Sequence, residues 1–238
     1  EAMHQLEGDL YVKKATVEFH ASARMDDQID VAMRCTRIGN SSMTFEGAIF
    51  RGDDLLITCE LVYVFADPAT QTSRPVPPAL RAVLMGYEAG EAMLELKTGS
   101  WRQLGAGASR VRTEVFVQEQ RIPVDMEWDE ADQTAVHAVA YNRLGQAVAT
   151  GRLLAAGAGQ ARIGRMAVHR VLRGTGLGRQ VLQTLAARAS ERGDHELVLH
   201  AQQSAQDFYC RLGFTARGEP FEEVNIPHVE MFTVLPKT

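Results

Sequence analysis

The 238-residue chain has only three cysteines, Cys35, Cys59 and Cys210. They are odd in number, far apart and outside any Cys-x-x-Cys spacing, which argues against a disulfide framework or a zinc site. Positive charge is not in excess: 25 Lys and Arg stand against 30 Asp and Glu, for a formal net charge of −5 and a pI near 5.8. The chain therefore lacks the electrostatic footprint of a protein that binds nucleic acid or an anionic membrane surface. No apolar run approaches the roughly 20 residues that a bilayer requires, and no signal-peptide pattern is present. No His/Cys/Asp/Glu cluster has metal-ligand spacing. Internal repeats and long low-complexity tracts are missing too. These absences predict a cytoplasmic protein without a metal. What remains is the composition of an ordinary globular protein, 45% hydrophobic, long enough for one large domain or two modest ones. The chain opens on Glu1 rather than Met, so residues upstream of it are expected to be missing.

Two rhythms divide the sequence. In the first half, Tyr11, Val12, Ala15, Val17 and Phe19 lie among Lys13, Lys14, Thr16 and Glu18 with a largely period-two pattern. Similar runs follow at 29–36, 43–50 and 55–65, joined by turn-rich pieces, which predicts a meander of antiparallel strands. Pro68, Pro75, Pro77 and Pro78 end the last strand, and a short helix is expected from Ala79 to about Tyr87. From about Ala92 the pattern becomes mixed. Strands are expected at 93–97, 136–141, 147–154, 161–168 and 196–200. Helices are expected at 108–120 and from Leu177 to Gly193, with a loop at 155–160. The fold class is therefore α+β, with an antiparallel sheet domain over residues 1–88 and a mixed α/β domain over 92–238.

The stretch VLRGTGLGRQVL, residues 171–182, places three glycines in five positions between a strand and a helix. A dinucleotide fingerprint counted from Gly174 and Gly176 would need a glycine where Arg179 stands, and no Gly-Lys-Ser/Thr of a P-loop follows. Arg173, Gly174, Thr175, Gly176, Leu177 and Gly178 instead satisfy the acyl-CoA pattern Arg/Gln-x-x-Gly-x-Gly/Ala; a plain glycine turn capping a helix is the alternative. Glycines let a ligand approach the backbone, and a helix N-terminus offers unpaired N–H groups with a partial positive charge. A pyrophosphate suits that environment. Arg173 and Arg179 flank it and can pair with phosphate oxygens, with Arg170 a weaker candidate.

Downstream, AQQSAQDFYCRLGFTARG supplies a strand end and then Phe208-Tyr209-x-x-Leu212-Gly213-Phe214. Loop, strand and this motif together resemble the GNAT superfamily of acyl-CoA-dependent N-acyltransferases. VFVQEQRIPVDMEWDEAD, His137 and FEEVNIPHVEM narrow the resemblance to the ElaA-type branch, covering essentially residues 92–238. It implies that acetyl-CoA or another acyl-CoA is the co-substrate and an amine the acceptor. It also implies that the backbone of Met166, Ala167 and Val168 holds the pantetheine arm, that the loop amides hold the pyrophosphate, and that Tyr209 protonates the departing thiolate. Glu119 and His137 rank first as base or substrate-positioning candidates, with His228 behind them and His200 a further one. His169 and His195 read as surface histidines.

In the first half, YVKKATVEFHASARMDDQIDVAMRCTRIGNSSMTFEGAIF, LLITCELVYVFADP and RPVPPAL resemble the YbgC-type hot-dog acyl-CoA thioesterases over roughly residues 7–85. That implies a thioester hydrolase module that pairs with a second copy, so a homodimer is expected through this half. The family's catalytic aspartate lies before the first strand seen here, and Asp26 and Asp27 read as turn formers, so no thioesterase catalytic residue is assigned. The expectation is a fusion of two acyl-CoA-handling modules. Its alternatives are that only the GNAT half is catalytic, the other serving as a dimerisation or CoA-binding scaffold, or that the chain is a CoA-responsive scaffold with neither activity.

Overall fold

A computed structural model describes residues 5–157 and 159–236. The chain divides between Met93 and Leu94 into two compact units, and among the described residues no helix is long and apolar enough to cross a membrane.

The first unit is a four-stranded antiparallel sheet of β1 (Asp9–Phe19), β2 (Asp30–Ile38), β3 (Ser42–Arg51) and β4 (Asp54–Ala66) in the order β1-β4-β3-β2. Only β2, β3 and β4 form the predicted meander. The connection over residues 20–29 is long enough to cross the sheet, so β1 pairs with β4 instead of with its sequence neighbour. Helix α1 (Pro78–Glu88) starts where proline has no N–H to leave unpaired. It lays Leu80 and Leu84 on Met43, Phe65 and Val76, and Arg81 anchors it by donating to the carbonyls of Ile38 and Gly39 at 3.0 and 2.6 Å. Because side chains alternate along a strand, that same face continues beyond the helix as two cross-strand rows. One row is Phe19, Ile57, Ile49 and Val31; the other is Val17, Cys59, Gly47 and Met33. At the edges of these rows Phe19 is 79% and Val31 66% exposed.

The second unit is a seven-stranded sheet built from β5 (Leu94–Gly99), β6 (Val136–Asn142), β7 (Ala147–Gly157), β8 (Gln160–Val168), β9 (Glu196–Gln202), β10 (Thr215–Glu223) and β11 (Ile226–Val234). Its order is β10-β11-β9-β8-β7-β6-β5, and β8 and β9 are its one parallel pair. Helix α2 (Trp101–Arg112), continued by a π-helical segment over Thr113–Glu119, packs Leu104, Ala108, Val111 and Val115 on one side of the sheet. Helix α3 (Val124–Glu127) is a single turn. Helix α4 (Leu177–Arg192) packs Leu177, Val181, Leu182, Leu185 and Ala189 on the other side. Helix α5 (Gln206–Cys210) carries Tyr209.

Helix α2 begins seven residues before the predicted Ala108. Gly105 and Gly107 weaken helix propensity, yet the space their missing side chains leave is filled by the Trp101 and Tyr141 rings, which a β-carbon would meet at under 3.0 Å. The expected loop at 155–160 is also shorter, since β7 runs on to Gly157 and β8 starts at Gln160.

Candidate active site

The site is made by a parallel pair that stops early. Strands β8 and β9 are paired only from Gln160↔Glu196 to Ile163↔Leu199. Opposite Gly151, β8 bulges: its register on β7 shifts between Thr150↔Ala167 and Arg152↔Gly164, and Arg165 takes a left-handed φ of 51°. A bulge bends its strand, and beyond Ile163 the β9 side of the Gly164–Val168 backbone is left without a strand partner. Gly151 leaves that space to Met166 and Leu185, whose Sδ and Cδ1 lie 2.6 and 2.8 Å from where its β-carbon would stand. A cavity of about 460 Å³ occupies the opening. Gly164, Met166, Leu199, His200 and Tyr209 line it, with Arg152, Arg162, Glu223 and His228 farther along its walls.

At the far end of β8 the glycine loop leads into α4. Gly174 and Gly176 have φ of 84° and 87°, a region that side chains other than glycine, Asn and Asp rarely adopt. A β-carbon at either position would meet nothing within 4 Å, so both face open space. Gly176 is the N-cap of α4, and no side chain caps the helix, leaving its first-turn amides available to an anion. The remaining loop residues divide by role. Leu177 is 1% exposed and anchors the helix in the core, so only its amide faces the loop. Thr175 Oγ1 donates to the Leu172 carbonyl at 2.7 Å, closing the turn. Gly178 allows close approach of Phe208, 3.4 Å from where its β-carbon would stand. Arg179 is exposed. Met166 reaches the cavity, Ala167 is buried on the α2 side, and the Val168 carbonyl accepts from Arg173 Nε at 3.0 Å. These residues fit a pantetheine arm and pyrophosphate: unpaired strand backbone leads to unpaired helix amides, with glycines keeping the approach clear.

Introducing Asp at Gly176 tests that fit, since Asp tolerates the left-handed region and puts a negative charge where the fit would seat a pyrophosphate. CoA affinity in a calorimetric titration is expected to fall by about tenfold or more. An unchanged dissociation constant in the folded variant would place the phosphates elsewhere.

Tyr209 lies at the base of the opening, 8% exposed, with Phe208 and Phe214 ring centroids at 5.0 and 5.9 Å. Burial pushes its phenol up to about 12. Its hydroxyl has no hydrogen-bond partner among the described residues, so it is available to a ligand.

Glu119 and His137, ranked first as base or substrate-positioning candidates, do not line this cavity. Glu119 ends the π-helical segment and accepts from both terminal nitrogens of Arg173 at 2.6 and 2.7 Å. Those hydrogen bonds hold its carboxyl below the usual range, the wrong direction for a proton acceptor. His137 is 1% exposed. Its Nε2 lies 2.9 Å from the Asp132 carbonyl and its ring 5.0 Å from Trp101, and burial lowers its basicity.

The polar residues of the segment before β6 build an ion-pair hub instead, buried at Arg112, Glu127, Asp132 and Arg152. Arg112 is held by Glu127 and Asp132 and stacks on Trp128 at 4.5 Å. Arg152 pairs with Asp129 and Asp132, and Arg165 with Glu127 and Asp129. Three guanidinium groups meet three carboxylates, and the hub fixes the loop that forms one cavity wall.

The histidine that does line the opening is His200, at the point where β8 and β9 part. Its Nδ1 lies 2.7 Å from Glu223 Oε1 and its Nε2 3.9 Å from Glu230 Oε2, with the Phe221 ring edge-on at 4.9 Å. With Nδ1–H donating to the carboxylate, Nε2 keeps a free lone pair. His228 Nδ1 is tied to the Ile226 carbonyl at 2.7 Å. Among the described residues no group of His, Cys, Asp and Glu is placed to hold a metal.

This geometry agrees with the comparisons. The family model for the GNAT acetyltransferase domain matches residues 104–235, and that for the thioesterase superfamily matches residues 2–58. The uncharacterized N-acetyltransferase YjcF of Bacillus subtilis is 33% identical over 122 residues, 51% of this chain and 86% of that protein. Among solved structures, an acyl-CoA N-acyltransferase from Pseudomonas aeruginosa is 36% identical with a TM-score of 0.52, covering 58% of this chain and 98% of its own. Escherichia coli ElaA is 29% identical with a TM-score of 0.53, covering 59% and 99%. Splayed strands, a glycine loop on a helix N-terminus and a tyrosine at the opening occur together within the matched residues, and the chain belongs to the GNAT acetyltransferase family.

Proposed function

We propose that residues 92–238 transfer an acyl group from acyl-CoA, acetyl-CoA foremost, to an amine. The observation that carries this reading is the opening of β8 and β9 past Ile163↔Leu199 directly between the glycine loop and the His200–Tyr209 pair.

An alkylammonium acceptor of pKa about 10.4 must lose a proton before it can attack, which at neutral pH costs roughly 4 to 5 kcal/mol. His200 Nε2, oriented by Glu223, takes that proton. The nitrogen lone pair then adds to the thioester carbonyl carbon, and the C–S bond breaks as the carbonyl re-forms. A free thiol titrates near ~8.5, well below the buried phenol, so complete proton transfer from Tyr209 to sulfur is uphill. Tyr209 therefore donates a hydrogen bond to the departing sulfur as charge develops. The second proton of the former amine ends on that sulfur. The products are amide, thiol and protonated His200. Mass spectrometry of an amine panel incubated with acetyl-CoA should show acceptors gaining one acetyl group; no acetylated acceptor across primary amines, peptide N-termini and lysine side chains would contradict the reading.

For residues 1–88 we propose a hot-dog module that associates as a homodimer, the thioesterase-superfamily match being its support; hydrolysis of acyl-CoA by this half is the second activity to test. The rows ending in Phe19, Val31 and Met33 are an apolar surface of the kind that soluble monomers rarely leave open. A second copy covering it makes a closed, self-complementary contact. Light scattering is expected to give a dimer for the full chain and a weakened one for Met33→Glu. A monomeric wild type would overturn this assignment.

A further inference from the structure

Resting on amine acylation at this cavity, we infer that the acceptor carries an anionic group, of carboxylate chemistry, which Arg162 binds while the amine faces His200. The inference starts from which charges in the cavity already have partners. Glu127 and Asp129 are taken up by Arg112, Arg152 and Arg165, and Glu223 by His200. Arg162, in the same cavity wall, is exposed and has no hydrogen-bond or ion-pair partner among the described residues. Arg152 adds a buried donor, Nε, that no protein atom accepts. The walls thus hold more donors than acceptors, and the uncommitted charge is a guanidinium, whose planar fork matches a carboxylate.

Position identifies the ligand that this charge meets. Arg162 lies six residues before Val168, about 20 Å along an extended strand, so the pyrophosphate at the glycine loop is out of its reach. It pairs in register with Val198, and alternation places His200, two residues on, on the same face of the neighbouring strand. The two α-carbons are then about 8 Å apart, on the acceptor side of the point where the strands part. A molecule with an amine and a carboxylate separated by a few bonds spans His200 and the arginine fork.

The test uses acetyl-CoA and two matched acceptor series, ω-amino acids of two to six carbons and the n-alkylamines of equal length, with wild type, Arg162→Ala and Arg162→Glu. For the best-fitting length, wild-type kcat/KM is expected to favour the amino acid by about tenfold or more. That ratio should fall to near one in Arg162→Ala and invert in Arg162→Glu. A loss through misfolding lowers both series together and leaves the ratio unchanged, so a ratio equal in wild type and Arg162→Ala overturns the inference. A wild type that favours the alkylamines overturns it as well. Should no amine of either series raise CoA release, the acyl-transfer reading itself fails, and the acceptor assignment fails with it.

Discussion

Tyr209→Phe lowers turnover by about 10²-fold or more, the usual scale for losing a group that acts on a leaving atom, and leaves CoA affinity within about twofold. The split follows from where the hydroxyl sits. It has no protein partner to lose and contributes nothing to packing, because Phe208 and Phe214 contact the ring, and Phe keeps the ring. Its contribution is to the transition state, when negative charge accumulates on sulfur beside this buried phenol. The variant should therefore be defective in kcat and nearly normal in KM for acetyl-CoA. Steady-state kinetics with saturating amine, alongside a binding isotherm for CoA, separates the two quantities. Wild-type turnover would reduce Tyr209 to a packing residue and leave the departing thiolate to solvent.

Arg112→Leu is expected to be the most destabilising single change. Arg112 is 1% exposed and is shared between Glu127 and Asp132, which are 3% and 2% exposed. Leucine fills much of the volume but leaves two carboxylates buried with one guanidinium fewer. Breaking a buried pair in this way costs about 3 to 5 kcal/mol, a large part of the roughly 5 to 15 kcal/mol that holds a domain folded. The pH dependence gives the loss a signature. Burial already raises the Glu127 carboxyl above its ordinary range against the pull of Arg112 and Arg165; without Arg112 it rises further. A carboxyl raised in the folded state stabilises that state below its unfolded value, and this contribution is lost as pH rises through the folded value. The deficit of Arg112→Leu should therefore shrink on acidification from neutrality and largely disappear when Glu127→Gln is added. Thermal denaturation of the single and double variants between pH 5 and 8 measures both. A deficit independent of pH and of residue 127 would mean that the arginine acts through packing on Trp101 and Trp128 alone.

The parts of this protein that sequence made legible are those whose physics is local. The glycine loop announces itself because positive φ at Gly174 and Gly176 and the helix start at Leu177 are encoded within five residues. Tyr209 is carried by a motif equally compact. The four strands of the first unit and five of the seven in the second were readable from their alternation; β10 and β11 were not expected, nor was the pairing of β1, since nothing in it says that it crosses to β4. The base candidates show the same limit in reverse. Glu119 and His137 are polar residues in a distinctive stretch, but what engages them lies far along the chain: Arg173, 54 residues from Glu119, and the Trp101 ring against His137. The ring of His200 is oriented by Glu223, 23 residues away on a strand that is not its neighbour. The VDMEWDEAD stretch is legible in the sequence only as part of a family signature; folding places its Glu127, Asp129 and Asp132 in the arginine hub that shapes the cavity wall.

The central claim is that this cleft moves an acyl group onto nitrogen. The most direct test follows free CoA thiol released from acetyl-CoA by the full chain, with and without an amine. The account predicts release that rises with amine concentration, that falls by about 10²-fold in Tyr209→Phe, and that matches acetylated amine mole for mole. Release at the same rate without amine would contradict it and assign the thioester chemistry to hydrolysis.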